Sequence, residues 1–260
     1  MQYLRLIGRP ASGRPTHAAA PLQTGVRSHT TALRSSRRHN GGVPFTCEVC
    51  GRRSVFPDLI PAVGNVLRCP HCAHERPFVR PPLLVVSGTV GIGKSTLCAR
   101  LAGTIPGVLL LDADILAVDL ASVAPPNQDY PAFWRSMMRL AHELSQNNVV
   151  VVYFSTMLPE QALANTDILG YFDSVHFLCL TCPSDVLWAR LAGRDGSGAA
   201  SARVNVWRDF NTALLAAASE TPKATVVDAS RTRDEVEKDV RHWINTHVRG
   251  SDSLRRDATA

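Results

Sequence analysis

The feature of the sequence that most constrains the fold is a glycine-rich segment, SGTVGIGKST, directly after the apolar run Leu83–Val86. Gly88, Gly93, Lys94 and Ser95 satisfy the pattern G-x-x-x-x-G-K-[ST], and an amphipathic helical stretch follows them. In a strand, loop and helix in this order, the glycines let successive backbone N–H groups converge on phosphate oxygens. The segment therefore predicts a phosphate-binding loop at one edge of an α/β sheet.

We expect this loop to hold a nucleoside triphosphate, with Lys94 reaching the β and γ phosphates and Ser95 acting as a ligand of Mg²⁺. The N-terminus of the following helix adds positive potential at the same place. The residues expected to bind the nucleotide are Gly88, Thr89, Val90, Gly91, Ile92, Gly93, Lys94, Ser95 and Thr96.

Strand-like apolar runs alternate with amphipathic segments from residue 81 onward, a pattern typical of a parallel sheet with crossover helices. The 260 residues leave room for one such domain and a small appendage. We predict a doubly wound domain over residues 81–249 and a disordered tail over residues 250–260. The predicted strands are Leu83–Val86, Val108–Leu111, Val149–Phe154, Val175–Leu180 and Thr225–Val227.

Charge is distributed unevenly along the chain. Residues 1–80 carry twelve arginines, no lysine and three acids, whereas residues 81–249 carry fourteen basic residues against seventeen acids. A nucleic-acid channel through the core would be basic, so this balance favours a small-molecule substrate. Residues 1–44 contain no acid and no helical or strand periodicity, and we predict a disordered basic arm there.

No segment has the pattern of a membrane anchor or a secretory leader. The longest apolar runs, such as Val149–Phe154, are far shorter than the ~20 residues that a membrane-spanning helix needs. A hydrophobic content of 45% with 19% charged residues is typical of soluble globular proteins. We therefore expect a cytoplasmic protein without membrane contact.

Four cysteines near the front of the chain form two C-x-x-C pairs, Cys47 with Cys50 and Cys69 with Cys72, separated by eighteen residues. Four thiolates at this spacing suit one tetrahedral Zn²⁺ ion, and a closed set of four ligands predicts a structural site. Disulfides would also crosslink the segment, but without a secretory leader we favour metal. Residues 45–80 resemble a zinc ribbon, a family that often docks proteins or nucleic acids.

Two acids follow the second strand of the predicted sheet, in LLLDADIL. Ligands of open α/β sheets bind at the carboxyl ends of the strands, and residues two apart in an extended segment share a face. Asp112 and Asp114 are therefore candidate catalytic residues, one holding Mg²⁺ and the other taking a proton from an attacking hydroxyl. The alternative is that one of them, Asp114 before Asp112, caps the helix that begins near Ile115.

A segment after the fourth strand has the composition of a lid. Arg190 and Arg194 are one helical turn apart, the Gly-, Ser- and Ala-rich stretch Asp195–Ala202 follows them, and Arg203 comes after that stretch. A mobile loop flanked by guanidinium groups suits a lid that neutralises a transferring phosphoryl group and excludes water. The alternative is a flexible surface loop with solvated arginines.

Two classes of nucleotide-binding protein are disfavoured. The third strand ends in Tyr153-Phe154-Ser155-Thr156 without an acid, which argues against a motor ATPase with an ordinary Walker B aspartate. We find no DxxG after a strand and no NKxD, so a GTPase is disfavoured as well.

With these motifs, residues 83–248 resemble the nucleotide- and small-molecule-kinase group of P-loop proteins, which includes adenylate, shikimate and gluconate kinases and chloramphenicol phosphotransferase. The segments CPSDVLWARLAGR, WRDFN and VVDAS are similar to that group and to bacterial AAA-family, nucleoside-kinase-like ATPases. The resemblance implies a three-layer α/β P-loop fold with a five-stranded parallel sheet in the order 2-3-1-4-5. It also implies ATP and Mg²⁺, phosphate contacts from Lys94 and the lid arginines, and a loop at Asp228 that borders the base.

The leading hypothesis from the sequence is an ATP-dependent kinase that phosphorylates a hydroxyl or phosphate of a small molecule. The acceptor is expected between the Asp112 segment and the helix Tyr130–Leu144, where Trp134 would stack and Arg135 would pair with an anionic group; the alternative is that both residues simply pack or face water. One alternative is a polynucleotide 5′-hydroxyl kinase that holds its strand with the ribbon and the basic arm. The other is an ATP-binding regulatory protein whose ribbon contacts a partner.

Overall fold

The structure is a computed structural model that describes residues 44–55, 66–77, 80–113 and 130–257. The predicted arm up to residue 43, and Asp114, lie outside the described residues. The strands are β1 (Pro44–Thr46), β2 (Arg53–Val55), β3 (Val66–Arg68), β4 (Glu75–Pro77), β5 (Leu83–Gly88), β6 (Val108–Asp112), β7 (Val150–Ser155), β8 (Val175–Thr181) and β9 (Ala224–Asp228). The helices are α1 (Lys94–Leu101), α2 (Tyr130–Ser145), α3 (Pro159–Leu163), α4 (Thr166–Leu169), α5 (Ser184–Asp195), α6 (Ser197–Glu220) and α7 (Arg233–Asp257).

Five strands form one parallel sheet in the order β6-β7-β5-β8-β9. This is the order 2-3-1-4-5, and with helices on both faces it confirms the predicted three-layer α/β fold. The strand before the glycine-rich loop, β5, is the central strand. Because all five strands are parallel, their carboxyl ends lie along one edge of the sheet, which we call the carboxyl edge; the opposite edge is the amino edge.

The central strands are apolar at nearly every residue because helices cover both of their faces. Every residue of β5 and of β7 is buried. Alternate side chains face two buried layers: Leu83 and Val85 face the layer that contains α2, and Leu84 and Val86 face the layer that contains α1 and α7. The outer strand β9 is less covered, with Val226 47% exposed.

The prediction of a mobile loop over Asp195–Ala202 is wrong. Helix α5 ends at Asp195 and α6 begins at Ser197, so that only Gly196, with φ of +83°, separates the two helices. The alanines of this stretch have the highest helix propensity of any residue, which outweighs the isolated Gly198. The segment is a tight helical hairpin.

The last helix begins with the capping box that its sequence predicts. The Thr232 amide donates to the Glu235 carboxylate at 3.0 Å, and the Glu235 amide donates to the Thr232 hydroxyl at 3.4 Å. The helix continues to Asp257, past residue 250, where we expected a tail to begin. Among the described residues, no helix combines the length and the apolar character that crossing a membrane requires.

Two short antiparallel hairpins, β1 with β2 and β3 with β4, precede the sheet. We call residues 44–77 the ribbon. The connection to the sheet is buried at Pro81 and Pro82, and the Pro81 carbonyl accepts a hydrogen bond from the Asp173 amide at 3.2 Å. The ribbon therefore joins the sheet at the amino edge. The six residues of β5, at ~3.3 Å per residue, separate this junction from the glycine-rich loop by about 20 Å.

Candidate functional site

Three glycines shape the loop between β5 and α1, which we call the phosphate loop (residues 88–95). Gly91 has φ of +83°, and a Cβ atom there would lie 2.8 Å from the Leu191 side chain of α5. Gly93 has φ of +110° and caps α1. At Gly88 a Cβ atom would lie 3.1 Å from a backbone carbonyl of β8. The glycines are therefore required by positive φ and by close packing beneath α5 and β8.

Lys94 as a residue is only 5% exposed, and its ammonium group lies at the turned backbone of this loop. Its Nζ donates to the Gly88 carbonyl at 2.8 Å, to the Thr89 carbonyl at 3.2 Å and to the Thr156 hydroxyl at 3.1 Å. Thr156 follows β7, the neighbour of β5 in the sheet. A cation is thus fixed between the carboxyl ends of two central strands.

The first turn of α1 adds backbone donors to the same place. The earliest hydrogen bond into this helix runs from the Leu97 amide to the Gly93 carbonyl at 3.0 Å. The preceding helical amides, of Lys94, Ser95 and Thr96, have no acceptor within the helix, as at every helix N-terminus. Ser95 and Thr96 are exposed. Together with the loop, this helix end has the donors that bind a phosphate group.

Asp112 is the last residue of β6 and lies opposite Phe154 of β7 in the parallel register. Burial raises the pKa of the Cys98 thiol to about 11, and the nearby carboxylate of Asp112 raises it further. Since Cys98 belongs to α1, the carboxylate lies beside the helix whose first turn contains Lys94 and Ser95. The structure thus brings Lys94, Ser95 and Asp112 to the same part of the carboxyl edge.

Arg190 is partly buried and belongs to α5 instead of lying at the rim of a loop. Its guanidinium group donates to the Ala229 carbonyl at 2.7 Å and to the Ile92 carbonyl at 3.4 Å. It therefore connects the phosphate loop with the turn after β9. Arg194 is exposed at the end of α5. Of the two predicted lid arginines, only the first is fixed against the phosphate loop by these bonds.

The turn predicted to border a base starts at Asp228, the exposed last residue of β9. Hydrogen bonds from Ser230 lower the pKa of Asp228, and its Oδ1 accepts from the Ser230 amide at 2.8 Å. The Ala229 amide donates to the Thr181 carbonyl at 2.7 Å. The turn is rigid, and Arg190 joins it to the phosphate loop.

Trp134 does not offer an open stacking surface. The side chain is 3% exposed, belongs to the buried layer of α2, and meets Phe133 edge-on with ring centroids 4.7 Å apart. The sequence prediction that it stacks on an acceptor conflicts with this burial, because a helical stripe of apolar residues packs into the core. Arg135 is half-buried on the same helix.

Sequence reasoning missed two contacts of the phosphate loop. The Thr156 hydroxyl accepts from Lys94, and the buried Thr89 hydroxyl donates to the Trp207 carbonyl of α6 at 3.2 Å. The end of β7 stood out in the sequence only because it has no acid. Its position beside the lysine depends on the strand order, which puts β7 next to β5.

The four cysteines of the ribbon form a second candidate site. Their Sγ atoms all lie within 4.8 Å of one another. The distance is 3.6 Å between Cys47 and Cys72 and 3.7 Å between Cys50 and Cys69. A tetrahedron of sulfurs around Zn²⁺ with bonds of about 2.3 Å has edges of about 3.8 Å. The predicted cysteine cluster is confirmed, and its dimensions fit zinc.

The two C-x-x-C turns have the same backbone shape. The Gly51 amide donates to the Cys47 carbonyl and the Ala73 amide donates to the Cys69 carbonyl, each at 2.9 Å. Gly51 and Ala73 both have positive φ, of +66° and +57°. The His71 amide donates to the Cys69 sulfur at 3.4 Å, a contact that favours the thiolate that metals bind. Burial opposes this effect, but the pKa of Cys69 still falls to about 7.

Comparisons with known proteins show likeness only in three dimensions. No protein-family model matches the chain, and no curated protein sequence matches it. A sugar kinase from Janibacter sp. HTCC2649 is 19% identical, with 64% of this chain and 95% of that chain covered and a TM-score of 0.48. A tunicamycin resistance protein from Deinococcus radiodurans is 18% identical, with 64% and 96% covered and a TM-score of 0.44.

A gluconokinase from Sinorhizobium meliloti 1021 is 18% identical, with 71% of this chain and 96% of that chain covered and a TM-score of 0.40. At these identities and scores, the likenesses do not extend to activity or substrate. The function of this chain has to be inferred from its own residues.

Proposed function

We propose that this chain is a kinase that transfers the γ-phosphoryl group of ATP to a hydroxyl or phosphate oxygen of a small molecule. The observation that carries the proposal is the buried ammonium group of Lys94 in a turned glycine loop. The loop lies at the carboxyl edge of an open α/β sheet, where such sheets bind their ligands. A single strand, loop and helix thus provide a cation, the backbone amides of a turned loop and a helix N-terminus.

The phosphate loop binds the triphosphate in this proposal. Loop amides and the first amides of α1 donate to phosphate oxygens, and Lys94 exchanges its contact with Thr156 for the β and γ phosphates. Ser95 and Asp112 hold Mg²⁺, since hydroxyl and carboxylate oxygens are ligands that this ion prefers. When bound, Mg²⁺ neutralises charge on the β and γ phosphates.

The remaining predicted residues act on the transfer itself. Asp114, which lies outside the described residues, takes the proton of an acceptor hydroxyl as its oxygen bonds to the γ phosphorus. The bond from that phosphorus to the β–γ bridging oxygen breaks, and ADP leaves. Arg194 neutralises charge on the transferring group, and Arg190 positions the phosphate loop against the turn at Asp228, where the base binds.

We also propose that Cys47, Cys50, Cys69 and Cys72 bind one structural Zn²⁺ ion. A closed set of four thiolates leaves no position for water or substrate, so the ion takes no part in the transfer. The ribbon joins the sheet at the amino edge, away from the phosphate loop. This position disfavours the alternative of a polynucleotide kinase in which the ribbon delivers the strand to the loop.

Incubation of the purified chain with radiolabelled ATP, Mg²⁺ and separate pools of nucleosides, sugars, antibiotics and oligonucleotides tests the proposal. Label should appear in a small-molecule pool, and Lys94→Ala should reduce the transfer by about 10²–10³-fold, the loss typical of removing one donor to a transition-state oxygen. Lys238→Ala is the matched control, because Lys238 is exposed on α7. Label in the oligonucleotide pool alone, bound ATP without transfer, or unchanged transfer by the Lys94 variant would each contradict the proposal.

A further inference from the structure

The ribbon and helix α2 share one buried cluster. Cys47 and Cys69, the first cysteine of each pair, are 0% and 1% exposed, whereas Cys50 and Cys72 are exposed. The two buried sulfurs belong to the hydrophobic cluster that contains much of α2. The ribbon is therefore packed with its inner half against the body of the protein. The members of this cluster from α2 are Trp134, Met137, Met138 and Ala141.

A charged group of the ribbon lies near the same interface. The guanidinium group of Arg76, in β4, is close enough to the last turn of α2 to affect two side chains there. Burial raises the pKa of Glu143, although the positive charge of Arg76 partly opposes this effect. For His142, burial and then the charge of Arg76 both lower the pKa, to about 4. The end of α2 thus faces an arginine of the ribbon.

Helix α2 reaches from one edge of the sheet to the other. Its sixteen residues extend about 24 Å at ~1.5 Å per residue. Its last turn leads into the amino end of β7, so its first turn lies toward the carboxyl edge. In the middle, the Tyr153 hydroxyl donates to the Met137 carbonyl at 2.6 Å. If the C-terminus of such a rigid helix is displaced, Trp134 in its first half is displaced with it.

We propose that the metal-bound ribbon is a clamp that holds the C-terminal end of α2 at the amino edge and thereby sets the position of its N-terminal half at the carboxyl edge. In its described residues, 44–55 and 66–77, the ribbon has four strands of three residues and buries Cys47 and Cys69 as its apolar side chains, so metal binding supplies folding free energy to it. Loss of the metal releases the clamp. One consequence rests on the proposed function: metal loss raises the KM for the acceptor more than the KM for ATP.

Hydrogen exchange of the full chain, followed by mass spectrometry, tests the clamp without any measurement of activity. The chain is compared when loaded with Zn²⁺ and after removal of the metal with a chelator. Peptides from α2 should exchange at least about tenfold faster after metal removal, whereas peptides from α1 and α7 should be unchanged. Unchanged exchange in α2 would overturn the proposal, and so would an equal acceleration in all three helices, since the metal would then stabilise the whole fold.

Charge reversal tests the same contact with the metal in place. Arg76→Glu should accelerate exchange in α2, and adding Glu143→Arg should reverse that change. Arg52→Glu is the matched control, because Arg52 is exposed on the ribbon, and it should leave α2 unchanged. Accelerated exchange in the control, or unchanged exchange in the Arg76 variant, would overturn the clamp.

The two proposals can fail separately. If no substrate pool acquires label while exchange in α2 still depends on zinc, the kinase proposal fails and the clamp stands. If labelled product forms while exchange in α2 does not depend on zinc, the clamp fails and the kinase proposal stands.

Discussion

The packing of the phosphate loop beneath α5 predicts a large effect for Gly91→Ala. The added Cβ atom would lie 2.8 Å from Cδ2 and 3.1 Å from Cγ of Leu191, a side chain that is 1% exposed. Relieving such a clash in a packed core costs about 1–3 kcal/mol. The φ of +83° adds about 1–2 kcal/mol for any residue with a Cβ atom. We expect the free energy of unfolding to fall by about 2–5 kcal/mol.

Gly103→Ala is the matched control for this prediction. Gly103 has φ of +70°, and no heavy atom lies within 4 Å of an added Cβ, so this variant should lose only the conformational cost of about 1–2 kcal/mol. Urea titrations followed by tryptophan fluorescence give both free energies. The Gly91 variant should be less stable than the Gly103 variant by about 1–3 kcal/mol. Equal destabilisation would refute the conclusion that α5 packs directly on the loop.

Three further predictions follow from single side chains. Arg190→Ala should lower the free energy of unfolding in urea by about 1–3 kcal/mol, because the buried Ala229 carbonyl loses its donor. Arg190→Lys should restore part of the loss, and an unchanged urea midpoint of unfolding in the alanine variant would contradict this prediction. Burial lowers the pKa of His142 to about 4, below its usual 6.5, so its contribution to stability is present above pH 6.5 and is lost as the pH falls toward 4. His142→Gln should flatten that part of the pH profile, and an unaltered profile would show that the residue is not responsible. Metal analysis should find about one zinc per chain, with less in Cys72→Ser but not in Cys98→Ser, whose side chain lies outside the cluster.

The sequence predicted the sheet well because its central strands are buried on both faces and the outer strand β6 is also apolar up to Asp112. A strand covered by helices has to be apolar along its whole length, and such runs are visible without any tertiary information. The predicted runs Val108–Leu111 and Val175–Leu180 lie within β6 and β8. The cysteine cluster was predictable for a similar reason, since two C-x-x-C turns place four sulfurs around one point.

The predicted mobile loop was wrong because composition suggested a loop where helix propensity prevailed. Glycine and serine between two arginines are typical of mobile segments, but the alanines among them continue the helix on both sides of Gly196. The predicted stacking role of Trp134 conflicts with its burial, because the apolar stripe to which it belongs packs into the core.

By itself, the sequence determined the glycine-rich loop, the five strands and the cysteine cluster, since each of these follows from local geometry: a turn, a buried extended run, or a short spacing. Only the tertiary structure decided which distant groups meet. It put the hydroxyl of Thr156 on Lys94, directed Arg190 to two backbone carbonyls, and placed the ribbon at the amino edge against α2. Such contacts join residues far apart in the chain, and they form only when strand order and helix packing have brought the residues together.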